Sequence, residues 1–397
     1  MCYTIIAMGN HAKNENIFIN EMEKNKMAAT FEFVGRLKKI EKETEKFKAF
    51  EEKHYDSGWT NQTFKFYAIN GNNSHVMQVR AGFWRKKDGS VDDSKMKIYT
   101  QSKAEGGAKS QQMEVAFVDR ANPDVLSRVA YFRKFGINLN TPGEAKDPSK
   151  DHEFIFEGDF MTALRKLMDN PKFMERRVKI KGNMEIQYGD STGIFYRTFV
   201  PTRISFAGDD EKDQMRVSLD LIYGSDAIDD GEEILHINCY HRYYDANYRK
   251  DSCKGMATCP IQFVVRDSKI FDLVRRRFTN FPDECSFAKA DVVLDVINGT
   301  EMVSLTYDDL SDEAKENIDF GLSTLEDEIR FAGGTVFGDR VTELLFASSR
   351  NVQGTAYEAE DLLPPRHDGA DEADDKNSGN STEKKADDED FDLFGDL

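Results

Sequence analysis

Thr30-Phe31-Glu32-Phe33-Val34-Gly35-Arg36-Leu37 mixes apolar–polar alternation with an internal glycine. Alternation puts one set of side chains on one face of a strand, and a glycine inside the run marks a bend or bulge. The same signals recur downstream. Thr63–Ile69 and Val76–Ala81 are two further strands, and Asn70-Gly71-Asn72-Asn73 between them has turn chemistry, so a hairpin is expected. Lys95–Thr100 and Met113–Val118 supply two more. Glu41–Lys53, highly charged with Phe47 and Phe50, reads as a helix or an extended ribbon. Five strands in about 90 residues, the first bent at a glycine, suit a small Greek-key barrel of the OB type.

A Pro/Gly/Lys/Asp stretch, Thr141–Asp151, reads as a linker. Beyond it, Glu153–Glu157 is a strand and Asp159–Met168 a helix, capped by Asp159 or Gly158, with Phe160, Leu164 and Leu167 as its apolar stripe. Six more strands follow to Arg266, and Gly182 lies in the first of them much as Gly35 does in its own, which suggests a repeated barrel. The fold class expected is mainly β (α+β), with one or two OB-like barrels and peripheral helices. The expected organisation is an arm at 1–28, a first barrel at 29–142, a second at 152–266, a mostly helical region at 267–357 and a disordered acidic tail at 358–397. In the helical region Ser268–Phe278 is basic and amphipathic, and Asp309–Phe331 is acidic with Ser311 or Asp309 as cap.

The net charge of −18 argues at first against nucleic acid. Its distribution changes that. From Glu358 to Leu397 there are fifteen acids and four bases, a net of −11, which leaves 57 acids and 50 bases, a net of −7, on the other 357 residues. A body that nearly balanced can carry basic grooves. The tail is almost wholly polar from His367 to Ala386, too poor in apolar surface to fold. Yet it ends in Asp387-Asp388-Glu389-Asp390-Phe391-Asp392-Leu393-Phe394-Gly395-Asp396-Leu397. Phe391, Leu393 and Phe394 serve no purpose in a solvating segment but suit a docking peptide, with Asp388, Asp390 and Asp392 meeting a basic rim.

A barrel body, a polar linker and an acidic tip holding Phe resemble the bacterial and bacteriophage single-stranded-DNA-binding proteins, and Val34-Gly35-Arg36-Leu37 is similar to the first strand of the bacterial family. The chain is longer than the bacterial proteins and ends Phe-Gly-Asp-Leu rather than Pro-Phe, so it looks more like a phage version with two barrels. The resemblance implies non-enzymatic binding of single-stranded DNA in replication, recombination and repair, with partner proteins recruited by the tip.

Single-strand binders need cations along the backbone and π-faces for the bases. Three clusters of candidates fit: Arg80, Phe83, Trp84, Arg85, Lys86 and Lys87; Lys179, Lys181, Phe195, Tyr196 and Arg197; and Tyr240, Arg242, Tyr243, Tyr244, Tyr248, Arg249 and Lys250. Arg275-Arg276-Arg277 adds a basic helix face. Each of these also fits a solvated sheet or helix face whose long side chains lie along it. Cys239, His241, Cys253 and Cys259 are candidate zinc ligands, although Cys-x-His with Cys-x5-Cys lacks the short knuckle spacing of specific sites. Otherwise no cofactor is expected. The odd, irregular cysteines and the lack of a signal peptide or long apolar run fit a reducing compartment, so the expected location is the cytoplasm, the host's if the protein is viral. No G-x-x-x-x-G-K loop appears. The rival readings are a virion or assembly protein, and a metal-dependent nucleic-acid enzyme using loop acids such as Asp209-Asp210-Glu211.

Overall fold

The computed structural model describes residues 29–363, apart from 46, 87–94, 105–106, 190–191, 232–233, 246–254, 283–284, 305–306, 308–309, 326 and 329–334. The expected arm at 1–28 lies outside the described residues. The chain is mainly β. Its strands are β1 Thr30–Lys38, β2 Phe50–His54, β3 Trp59–Asn70, β4 Asn73–Trp84, β5 Lys95–Ala104, β6 Gly107–Ala116, β7 Phe135–Asn138 and β8 Asp151–Phe154, then β9 Val178–Gly189, β10 Ile194–Phe206, β11 Gln214–Tyr223, β12 Ile228–Asp230, β13 Leu235–Tyr244, β14 Met256–Val265, β15 Phe287–Ser304 and β16 Thr335–Thr355. Three helices matter below: α1 Glu157–Met168, α2 Phe271–Phe278 and α3 Asp312–Asp319.

Among the described residues fourteen strands form one continuous sheet, and its ladders trace two closed circuits of five. In the first, β1 pairs antiparallel with β3, β3 with β4, β10 with β9 and β9 with β1, and a parallel contact of β4 with β10 (Met77 opposite Phe199) closes the ring. In the second, the corresponding strands are β11, β13, β14, β15 and β16, closed by the parallel contact of β14 with β16 (Val264 opposite Leu345). A helix stands between the third and fourth strand of each circuit, α1 in one and α2 in the other. The circuits share an edge through β1 and β11, with Phe31 opposite Val217, and meet again at Asn73 and Gly299.

This arrangement corrects the organisation expected from sequence. The first circuit takes its last two strands from beyond residue 142, so Thr141–Asp151 is a loop within it and not a linker between barrels. The hairpin β5–β6, expected to supply two barrel strands, forms a separate two-stranded sheet. The region 267–357 is built around β15 and β16, of 18 and 21 residues, and is not mostly helical. Long-range pairing across some 30 residues of intervening chain set those strands, and no local periodicity reports it. Among the described residues Glu41–Lys53 holds no helix, and its end pairs on β3 as β2. The tail boundary also moves, because Ala359–Leu362 forms a capped turn with Leu362 buried against the body.

Gly35 and Gly182 do not hold equivalent positions of a repeat, because β1 and β9 are neighbouring strands of one circuit. Gly182 on β9 lies directly opposite Phe31 on β1. A Cβ there would sit 2.1 Å from the Val200 carbonyl oxygen and 2.6 Å from the Phe31 ring; at Gly35 it would sit 2.3 Å from the Ile69 carbonyl oxygen. Both glycines let neighbouring backbones and a ring approach more closely than any side chain allows. On α1, Phe160, Met161, Leu164 and Met168 are buried, and Leu167, expected in the stripe, is only partly so. Asp159 does not cap the helix; it accepts from Arg120 Nε and Nη2 at 2.7 and 3.1 Å. On α3 the cap is Ser311, whose hydroxyl accepts from the Ala314 amide.

His75 is buried in the first circuit, edge-on to Phe33 and Phe199. Its Nε2 faces Asn70 Oδ1 at 2.9 Å, and Nδ1 is buried without a hydrogen-bond partner. Burial pulls its pKa down to about 4 from 6.5. The unfolded chain therefore takes up the proton first, and stability that is complete above pH 6.5 is lost as pH falls from there to about 4, a loss worth about 3 kcal/mol. The urea midpoint should fall on going from about pH 7 to about pH 4.5, and His75→Gln should flatten that dependence; an unchanged pH profile in the variant contradicts this assignment. Gly182→Ala should cost about 3 kcal/mol in the same assay at neutral pH, the upper end of overpacking penalties.

Candidate nucleic-acid interface

The β3–β4 hairpin is regular from Trp59 opposite Trp84 to Asn70 opposite Asn73, with Gly71 at φ 59° in its two-residue turn. Strand alternation then sorts its side chains. Thr60, Phe64, Phe66, Met77, Val79 and Ala81 face the core. Trp59, Asn61, Thr63 and Lys65 face outward, opposite Trp84, Gly82, Arg80 and Gln78. The chain has two tryptophans, and both stand on this outer face as cross-strand partners. Their rings meet edge to face at 5.2 Å and 69°. Trp59 lies against Gly82, where a Cβ would come within 2.0 Å of its ring. Trp84 remains 49% exposed. Beside them Lys53 Nζ sits 5.1 Å over the exposed ring of Tyr55. Two indoles, a tyrosine and a flat glycine make an apolar platform on the outer face of this strand pair.

Cations border the platform. Lys65 sits 4.8 Å over the Phe47 ring, and burial lowers its pKa. Arg80 pairs with Glu185 of β9, but both groups are well exposed. Exposed pairs of this kind contribute little, so a competing phosphate can displace the carboxylate at small cost. Lys86 is exposed.

In the second circuit the matching strand pair is β13–β14. Its outer face carries Tyr240, Arg242 and Tyr244 opposite Pro260, Thr258 and Met256. Here the chain covers itself. The Arg242 guanidinium lies 4.6 Å over the Tyr357 ring, Thr258 Oγ1 donates to the Asp361 carbonyl oxygen at 3.1 Å, and Leu362 is buried. Tyr244 stays half exposed. The segment Tyr357–Leu362 thus straps the second face, and the corresponding face of the first circuit carries the tryptophan platform.

No protein family matches the chain by sequence, and neither does any curated protein. Two solved structures overlap it in part. One is the wild-type single-stranded DNA binding protein from Thermus aquaticus, at 6% identity and a TM-score of 0.29, over 68% of this chain and 85% of that one. The other is a deletion mutant of the same protein, at 6% identity and a TM-score of 0.28, over 68% of this chain and 87% of that one. Scores that low do not establish a shared fold.

The remaining residues picked from sequence fall elsewhere. Phe83 turns to the core side, 6.4 Å from Phe156, and Arg85 stacks on it while bonding Thr60 Oγ1 and Glu52 Oε1 at 3.2 Å each. Lys179 is held by Glu211 at 2.5 Å and Glu32 at 3.3 Å, and Lys181 by Glu32 at 3.2 Å. Phe195 and Arg197 do not line a groove. Phe195 packs between Tyr188 and the buried Tyr243, and the Arg197 guanidinium lies beside Cys259, with its Nε buried. The β9–β10 hairpin of the first circuit thus packs against the interior of the second. Tyr196 faces outward and donates to Thr192 Oγ1 at 3.2 Å. Arg275 is tied to Asp230 and Asp272. Lys87, Tyr248, Arg249 and Lys250 lie outside the described residues, as does the tip with Asp388, Asp390, Phe391, Asp392, Leu393 and Phe394.

Cys239, His241 and Cys259 are core groups of the second circuit. His241 lies opposite Cys259, while Cys239 lies opposite Ile261. His241 Nδ1 faces the Asp220 carbonyl oxygen at 3.0 Å, and burial lowers its pKa. Burial pushes the Cys259 thiol up to about 11 and raises Cys239 further, away from the thiolate a metal needs. Among the described residues no three His, Cys, Asp or Glu groups converge on a metal position; Cys253 lies outside them. Trp59, Tyr55, Lys53 and Lys65 were missed from sequence. The signal was present, since an exposed-face Trp four residues before the Thr63–Ile69 run is legible once β3 is extended back to Trp59.

Proposed function

We propose that the protein binds single-stranded DNA without catalysing a reaction on it, acting in replication, recombination and repair. Both five-strand circuits are then OB-type barrels, and the main groove is the outer β3–β4 face of the first. The observation that carries this reading is the Trp59–Trp84 pair spread over Gly82 on an outer barrel face, bordered by Lys53, Lys65 and Arg80. In OB folds the second and third strands, with the loops beside them, are the oligonucleotide-binding face. Unpaired bases offer π-faces that stack on indole, while duplex bases are already stacked on one another. The cations follow the phosphates, and binding weakens as salt rises because counterions are no longer released to advantage.

The strap Tyr357–Leu362 anchors the root of the acidic tail over the second barrel's face. The tail residues repel phosphate, and the tip around Phe391 and Phe394 recruits replication or recombination proteins through a basic-rimmed apolar pocket on the partner.

Oligo-dT should quench the intrinsic tryptophan fluorescence in a salt-sensitive manner, with duplex DNA far weaker. Trp59→Ala or Trp84→Ala should raise Kd about 5- to 150-fold, the equivalent of about 1–3 kcal/mol of stacking per base. Unchanged affinity in both variants would sink the reading. Removing Asp387–Leu397 should leave the oligo-dT affinity equal or higher and abolish partner recruitment.

A further inference from the structure

The loop joining β15 to β16 is out of keeping with a nucleic-acid surface. From Leu305 to Gly334 it holds nine Asp or Glu and two Lys or Arg. It carries α3, whose C-terminus is closed by Gly321 at φ 68°, with the Phe320, Gly321 and Leu322 amides donating to Glu316, Ile318 and Asn317 carbonyls at 2.8–2.9 Å. In such a glycine turn the apolar residue after the glycine normally folds back on the helix. Here it does not: Phe320 is 76% and Leu322 77% exposed, and Leu325 is also exposed. The turn is braced by Tyr307 Oη donating to Asp319 Oδ1 at 2.9 Å and by Asn317 Nδ2 donating to Glu328 Oε1 at 3.4 Å. The result is a fixed apolar knob inside an acidic collar, which phosphate would avoid and a basic-rimmed apolar recess would accept.

The first barrel has such a recess. A cleft of about 250 Å³ opens between β2, β3 and the end of α1, floored by Ile40, Phe50, Phe64, Phe66 and Met168. It is smaller than the usual range of about 300–1,000 Å³ for a ligand pocket, so it suits one or two side chains better than a cofactor. Three cations, Lys39, Lys65 and Arg165, stand on its rim with two acids, Glu43 and Asp169. Glu43 accepts from the Ala49 amide at 2.9 Å, and Asp169 and Lys39 match each other's charge at 2.7 Å, which leaves Lys65 and Arg165 to set the charge of the rim. Arg165 lies flat on the Phe50 ring at 3.8 Å, with burial lowering the pKa of Lys65 close by. The knob brings carboxylates and exposed Phe and Leu, and the cleft brings an aromatic floor and cations.

We infer that the Phe320–Leu325 knob of one molecule docks in the Phe50–Arg165 cleft of a second copy of this chain. Knob and cleft are different surfaces, so the contact is head-to-tail. Each molecule keeps one of each free, and association proceeds as an open series rather than stopping at a dimer. The contact needs no DNA.

Sedimentation of the full chain at low salt, without DNA, tests this. Wild type should form a concentration-dependent series that added salt dissolves. The knob variant Phe320→Asp/Leu322→Asp and the cleft variant Lys65→Glu/Arg165→Glu should each be monomeric, with the wild-type unfolding midpoint. Mixed together, they should give a 1:1 dimer and nothing larger, since only one intact knob meets one intact cleft. A monomeric wild type at all concentrations, or no dimer from the mixture, overturns the inference. So does a wild-type series that disappears when residues 364–397 are removed, because the cleft would then take the acidic tip instead.

Discussion

Everything in this fold hangs on the backbone pairing of one bent strand. β1 pairs with β9 and β11 along Thr30–Val34 and turns away to pair with β3 along Arg36–Lys38. A strand has two hydrogen-bonding edges; β9 takes one, so β11 and β3 divide the other between them, changing over at Gly35. Gly35 permits it, because no side chain fits there against the Ile69 carbonyl, and Gly182 lets β9 pass under the Phe31 ring. Once β1 bends, the first circuit can close and the second can be attached along β11.

Closure then decides where surface chemistry can be. A closed circuit of strands leaves each strand pair one core face and one outer face. In the first circuit the outer β3–β4 face carries both tryptophans. In the second the corresponding face is strapped by Tyr357–Leu362, and its end is packed by Phe195 and Arg197 from the first. Cations that look free along the chain are mostly bound within it: Lys179 and Lys181 to Glu32 and Glu211, Arg85 to Glu52, Arg275 to Asp230. At the platform Lys53 and Lys65 lie over the Tyr55 and Phe47 rings and Arg80 is held only by the exposed Glu185, so its cations are few. Stacking therefore outweighs charge in the binding proposed for this face, in keeping with a body whose overall charge is slightly negative.

Individual strands were legible. Phe31–Leu37, Thr63–Ile69, the Asn70–Asn73 turn and Val76–Ala81 all appear where alternation and turn chemistry place them. So does the helix near Asp159–Met168, since its apolar spacing is local. The partners of those strands were not legible. Gly35 and Gly182 looked like equivalent positions of a repeat and proved to be on neighbouring strands, and β5–β6 looked like barrel strands and proved to stand apart. Of the candidate site, Trp84 and Arg80 were found from aromatic–basic spacing. Phe195, Arg197 and Tyr243 have the same spacing, yet Tyr243 is buried and the other two are half-buried against Tyr243 and Cys259. Residue type and spacing alone do not report which face of a strand meets solvent once a second circuit of strands packs against it.

The amino-acid sequence by itself determined the strand-rich class, the charge split between body and tail, and the acidic tip holding Phe391 and Phe394. These depend on composition and short-range periodicity, which need no knowledge of distant contacts. Only the tertiary structure decided that the first circuit borrows β9 and β10 from beyond residue 142, that β15 and β16 complete a second, and that Trp59 and Trp84 stand together over Gly82. Each of these is a pairing between residues far apart in the chain. Backbone hydrogen bonds are alike for every residue, so such pairings are chosen by the packing of the whole fold and not by any local stretch.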